Sequence, residues 1–235
     1  MSKRLVPVIC LLVLALVMPD PAHAASAPGK PWVEKAQRRL NQLSCDAGPA
    51  DGKVGEHTRS AVIRFQSRLG LRQTGRLIQI AKVRLYAEDA PTCTDRPIPP
   101  RSGKGRRVVI SQRQNWVWLV GAGGRAVAQS GMVDNTSVLR PRVGTVGSYC
   151  GRAARIKRNT DGHGLWLDNF VRFASCGIGF HRIPRYMSSG RQIHADWLVG
   201  TDLRTSHGCI RTPKAFSAKV WRFAHVGTRV HVIRG

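Results

Sequence analysis

The chain of 235 residues carries 38 Lys and Arg against 13 Asp and Glu, a formal net charge of +25. That length suits one large domain or two small ones, and so basic a surface attracts polyanions. Neither the apolar run near its start nor any later segment reaches the roughly 20 apolar residues of a spanning helix, so the mature protein is expected to be soluble, and the scattered arginines lack regularly interleaved aromatics, so the charge fits a solvated surface as well as a specific anion site.

Residues 1–24 follow the pattern of an export signal: Lys3 and Arg4, an apolar run over 5–17, Pro19 and Pro21, then Ala22-His23-Ala24 as a small-x-small cleavage site. Cys10 lies inside the apolar run, away from the cleavage point, which argues against a lipid-modified N-terminus. A mature chain starting at Ala25 would sit in a secreted setting where disulfides persist. There it keeps Cys45, Cys93, Cys150, Cys176 and Cys209, an odd number, so one thiol stays unpaired. Local pairing of Cys45 with Cys93 and of Cys150 with Cys176 leaves Cys209 free; a bridge from Cys209 to a neighbour, with another cysteine left over, is the alternative.

From Trp32 to Tyr86 the apolar spacing is helical. Val33, Ala36, Leu40 and Leu43 form one face; Ala61, Val62, Phe65 and Leu69 form a second that ends at Gly70, a natural C-terminal cap. Between them residues 46–52 make a turn-rich loop, and a third short helix over 77–86 closes a three-helix unit at about residues 30–90. A unit this small benefits from a staple, which a Cys45 to Cys93 bridge would supply. Residues 91–106, with Pro97, Pro99, Pro100, Ser102, Gly103 and Gly105, read as a linker.

Ala36-Gln37-Arg38-Arg39-Leu40, Asp51-Gly52-Lys53-Val54-Gly55, Thr58-Arg59-Ser60-Ala61-Val62, Phe65-Gln66 and Leu69-Gly70-Leu71 with Gly75 resemble the three-helix peptidoglycan-binding domain of bacterial wall enzymes. The resemblance implies tethering to wall glycopeptide, although Gln79-Ile80-Ala81-Lys82-Val83-Arg84 departs from the family's threonine and leucine pattern.

From residue 107 to 235 short alternating runs replace the helical period: 108–111, 116–120 and 126–133 read as strands joined by hairpins, with further strands at 165–167, 170–173, 178–183 and 229–233. Gly121-Ala122-Gly123-Gly124 imitates a dinucleotide fingerprint, but a strand pattern follows it and not a helix, so it is a turn. One helix interrupts the strands: Thr212 suits its N-cap, Pro213 its first position, and Ala215, Phe216, Val220 and Phe223 its apolar face. The fold class is therefore multidomain: a small all-α three-helix unit, then a mainly β, sandwich-like domain with one helix.

Just before that helix stands Ser206-His207-Gly208-Cys209-Ile210-Arg211, with Gly179-Phe180-His181 upstream. A thiol attacks acyl carbon only if something takes its proton, and histidine is the usual partner. These motifs, with Arg140-Pro141-Arg142-Val143-Gly144 and Val226-Gly227-Thr228-Arg229-Val230, resemble the L,D-transpeptidase (YkuD-type) catalytic domain. The resemblance implies a cysteine thioester with a peptidoglycan stem peptide, released by an amine of a neighbouring stem, in the periplasm or cell wall.

It also implies the roles. Cys209 is the nucleophile and His181 the general base, its ring oriented by the backbone carbonyl of Arg182. Gly208 lets the chain turn tightly, so that the N–H groups of Gly208 and Cys209 point at the developing oxyanion, aided by His207. Ser206 shapes the loop, and Arg211 is a candidate to hold a substrate carboxylate in a fork geometry. The segment between His181 and Ser206 is longer than is usual in the family; it is a candidate loop over the site and makes His194 a minor rival base.

No cofactor is expected. The partners expected are peptidoglycan stems and glycan and anionic wall polymers, not nucleic acid. Three other readings are kept: an L,D-carboxypeptidase in which water resolves the same acyl-enzyme; a zinc-dependent wall hydrolase drawing ligands from His163, His181, His194, His207 and Cys209, though without an H-E-x-x-H motif; and a non-catalytic wall-binding protein.

Overall fold

The computed structural model describes residues 29–234. The export-signal reading and Cys10 lie outside the described residues, and among those no helix is long and apolar enough to cross a membrane.

Three helices come first: α1 (Pro31–Gln42), α2 (Glu56–Arg68) and α3 (Gln79–Leu85). Ala36, Leu40, Ala61, Val62, Phe65 and Leu85 bury a small core, closed by the Cys45–Cys93 disulfide. Two buried glutamines fix the turns between helices. Gln37 donates Nε2 to Asp51, the Lys53 carbonyl and Thr58 and accepts the Gly52 N–H at 2.9 Å. Gln66 donates to Thr74 and the Arg76 carbonyl and accepts the Gly75 N–H at 3.0 Å. Each turn glycine so held has positive φ, +72° at Gly52 and +68° at Gly75, where a side chain would be strained. Gly70, at φ +70°, ends α2, and the Leu71 N–H returns to the Gln66 carbonyl. The third helix is shorter than the apolar spacing suggests, because Ile78 is extended and serves as its N-cap.

The second part is a sandwich of two sheets. One has the order β3-β2-β1-β10-β4, from β1 (Arg107–Ser111), β2 (Trp116–Val120), β3 (Ala126–Gly131), β4 (Arg142–Thr145) and β10 (Arg229–Ile233). The other has the order β5-β6-β7-β9, from β5 (Arg155–Thr160), β6 (Leu165–Arg172), β7 (Gly179–Arg182) and β9 (Ile210–Thr212), with β8 (Arg185–Tyr186) also paired to β6. Val108, Ile110, Val117, Leu119, Val230 and Val232 of the first sheet meet Val171, Phe180 and Ile210 of the second, and α4 (Lys214–Phe223) adds Phe216 and Val220.

Three differences from the sequence reading have physical causes. Residues 91–106 form neither helix nor strand, yet they are packed: Ile98 covers Val109, Trp116, Trp118 and Val120, the Trp118 ring N–H donates to the Arg96 carbonyl at 2.9 Å, and the Arg96 guanidinium lies over Trp116. This cover buries β1 and β2 on both faces. The runs at 165–167 and 170–173 are one strand, β6; Asn169, at φ +57°, shifts its alternation midway and binds Lys157 and Ser217. Thr212 does not cap α4. It belongs to β9, its hydroxyl donates to the His181 carbonyl, and Pro213 takes the cap position with no side-chain bond.

Candidate active site

The site is built where β7 and β9 run side by side. They pair in parallel, with Phe180 opposite Ile210, His181 opposite Arg211 and Arg182 opposite Thr212. Side chains alternate across a strand, so Phe180 and Ile210 enter the core while His181 and Arg211 take the other face. Cys209 stands immediately before β9, and its sulfur meets the backbone at the start of β7, the Gly177 carbonyl and the Gly179 N–H, two residues ahead of His181. The thiol is unbridged and half-buried, since the other four described cysteines pair as Cys45–Cys93 and Cys150–Cys176.

Cys209 Sγ donates to the Gly177 carbonyl at 3.1 Å. Burial pushes its pKa up, opposed by the backbone N–H of Gly179 and by the cationic Arg211 and Arg172. His181 is 2% exposed and stacks on Phe170. Its Nδ1 lies 2.5 Å from the Arg182 carbonyl, which assigns the proton to Nδ1 and leaves Nε2 as the acceptor. Desolvation lowers its pKa to about 4. At neutral pH the resting pair is thus a neutral thiol and a neutral imidazole.

Ser206 organises the loop in front of the cysteine. It is buried, its Oγ accepts the Gly208 N–H at 2.9 Å, its N–H reaches the Asp134 carbonyl, and its carbonyl accepts from Asn135. The Gly208 N–H is therefore engaged by Ser206, whereas the sequence reading expected it to be open to an oxyanion. Gly208 has φ +123°, and a Cβ there would stand 2.8 Å from Val138 Cγ1. Gly208→Ala is expected to cost about 1–3 kcal/mol in thermal unfolding through backbone strain and to slow alkylation of Cys209; adding Val138→Ala should restore only the steric part.

The remaining candidates divide. Arg211 is half-buried beside Cys209 and donates to the Thr205 carbonyl at 3.1 Å. The Arg182 side chain is held by Gln192 and Asp168, while its carbonyl meets His181 Nδ1. His207 is exposed and finds no hydrogen-bond partner among the described residues. His194 is half-buried, with Nδ1 on the Ala195 carbonyl and a buried, unpartnered Nε2. His163 stands exposed in the β5–β6 turn. Among the described residues no three His, Cys, Asp or Glu side chains converge as a metal site would require.

The sequence reading missed Arg172, whose register opposite Gly179 carries its charge toward the thiol, and Asn135, which fixes the Ser206 carbonyl. Neither belongs to a local motif. Their only signal would have been the pairing of distant strands.

A model of the peptidoglycan binding domain (PG_binding_1) matches residues 30–77, and one of the L,D-transpeptidase catalytic domain (YkuD) matches residues 95–232, more than half of the chain. No curated protein matches the chain. Among solved structures, the L,D-transpeptidase from Xylanimonas cellulosilytica is similar at 24% identity and a TM-score of 0.49, over 88% of this chain and 96% of that one. An L,D-transpeptidase from Stackebrandtia nassauensis is similar at 18% identity and a TM-score of 0.44, over 87% and 92%. A fused Zn-dependent amidase/peptidase/peptidoglycan-binding domain-containing protein from Clostridium acetobutylicum is similar at 16% identity and a TM-score of 0.41, over 88% and 96%. With a sandwich carrying the cysteine motif behind three helices, and both family models matched in that order, the chain belongs to the YkuD family of L,D-transpeptidases and carries a peptidoglycan-binding domain ahead of the catalytic one.

Proposed function

We propose that this enzyme exchanges peptide bonds in peptidoglycan through a thioester on Cys209, with His181 as the general base. The observation that carries the reading is the unbridged Cys209 beside β7, whose His181 holds its Nδ1 proton on a carbonyl and keeps Nε2 free to accept one. His181 Nε2 takes the thiol proton as sulfur attacks the amide carbonyl that precedes the terminal D-alanine of a stem. The C–N bond breaks, the proton passes to the departing amine, and a thioester remains. An amine from a second stem then attacks that carbonyl, His181 removes its proton, and the thiol is regenerated.

Thiolate leaves more readily than an amine, so the second step runs toward the new amide. The Cys209 N–H is the donor offered to the oxyanion, since the Gly208 N–H serves Ser206. Arg211, beside the sulfur, is the candidate for a substrate carboxylate. On the helical part, a groove of about 420 Å³ lined by Trp32, Val33, Thr58, Arg59, Val62 and Leu77 is the candidate seat for wall glycopeptide. The disulfides accord with an exported protein acting outside the cytoplasmic membrane.

The test is incubation with a tetrapeptide stem followed by mass spectrometry of the Cys209 peptide. The expected result is an adduct equal to the stem less its last D-alanine, discharged by added stem amine to a cross-linked product. Discharge to free tripeptide alone would make the enzyme an L,D-carboxypeptidase, and no adduct on Cys209 would reject the thioester.

A further inference from the structure

Helix α2 has two working faces. Thr58, Arg59 and Val62 line the groove of the helical part, while Glu56, His57 and Arg64 all reach across to residues 197–204 of the catalytic part, the segment that runs into Ser206. Arg64 is the centre of this contact. It is 5% exposed, and its guanidinium donates to the Cys45 and Asp46 carbonyls on its own side and to the Trp197 and Val199 carbonyls on the other. Burial lowers its pKa only to about 10, so it stays cationic at neutral pH and all of its bonds are charge-assisted.

Around it the fit is close. A Cβ on Gly200, which has φ +78°, would stand 3.3 Å from the Arg64 side chain, and the Gly200 N–H is fixed on the Met132 carbonyl. The His57 ring stacks on Trp197 with centroids 4.7 Å apart, and Arg204 pairs with Glu56 through two oxygens at 2.8 and 3.2 Å. One residue after Arg204, the Thr205 carbonyl receives Arg211.

We infer that the helical domain, besides meeting the wall, completes the catalytic centre: through Glu56, His57 and Arg64 it positions residues 197–204 and thereby the Ser206–Cys209 loop. These three are positioning residues, since none touches Cys209. The inference rests on the reading of Cys209 as nucleophile. A tether on a free linker would need no such contacts; here a buried arginine and two flanking pairs join the helical domain to the backbone that leads into the motif.

The test uses the full mature chain in four variants: Arg64→Lys, which keeps charge and loses the fork; the single reversals Glu56→Arg and Arg204→Glu; and the double reversal. Acylation of Cys209 by the tetrapeptide at saturation, its half-saturating concentration, the alkylation rate of Cys209 by iodoacetamide and co-sedimentation with purified peptidoglycan are measured well below the melting temperature. Arg64→Lys is expected to lower saturated acylation about tenfold and each reversal about threefold, with half-saturation and co-sedimentation unchanged. The double reversal should regain the wild-type rate. Rates within twofold of wild type for Arg64→Lys and both reversals, or a loss that the double reversal does not repair, would overturn the inference. If the wild-type chain is not acylated at all, the thioester reading fails separately, and the alkylation rates, altered in the singles and restored in the double, still decide the positioning.

Discussion

Replacing Cys209 with alanine is expected to lower acyl transfer by at least about 10⁴-fold while leaving melting temperature and peptidoglycan co-sedimentation near wild type. The size of the loss follows from chemistry, since alanine offers no atom on which the acyl group can rest and the amide exchange loses its intermediate. The small structural cost follows from packing: the thiol is half-buried, and its polar contacts are two backbone groups, the Gly177 carbonyl, which lies toward solvent, and the Gly179 N–H. Tetrapeptide turnover followed by chromatography checks the first part, and thermal unfolding with sedimentation checks the second. Turnover retained in Cys209→Ala would reject the nucleophile outright.

His181→Ala is expected to lower the acylation rate by about 10³-fold, far more than His194→Ala. Both rings hold Nδ1 on a backbone carbonyl, but of the two it is His181 that sits on the strand paired with β9. The reverse ranking would transfer the base role. The pH dependence carries a sign of its own. With a pKa lowered to about 4, the imidazole stays unprotonated through the neutral and mildly acidic range, so acylation should hold as pH falls through the ordinary histidine region and drop only near pH 4. Stability runs differently. Between the unfolded value of 6.5 and the folded value of about 4 the unfolded chain binds a proton that the folded chain does not, so stability is lost as pH falls through that window. The loss for this buried ring is on the order of 3 kcal/mol. Thermal unfolding of wild type against His181→Ala across that range isolates it.

The architecture was legible because its cues are local. The spacing of Ala36, Leu40, Ala61 and Phe65 and the glycine at residue 70 give the helices and one of their ends, and Val108 to Val120 give the first hairpin. What stayed hidden depends on partners far along the chain. Arg64 and Arg96 are two of many arginines in the sequence, and only the assembled fold shows them buried and bonded to carbonyls from several elements. Thr212 looks like a cap because a proline and an amphipathic run follow it, but strand pairing with β7 claims it first. In the same way the glycine of the cysteine motif suggests an open N–H, and the folded loop shows that Ser206 accepts it.

The Cys150–Cys176 bridge ends one residue before Gly177, the acceptor of the Cys209 thiol. Sulfur exchanges with a disulfide only as the anion, so a desolvated, protonated sulfhydryl reacts slowly with a neighbouring bridge. On the mechanism proposed above, the burial that obliges Cys209 to borrow a base for each turnover also guards the chain against scrambling its own cross-links under oxidising conditions.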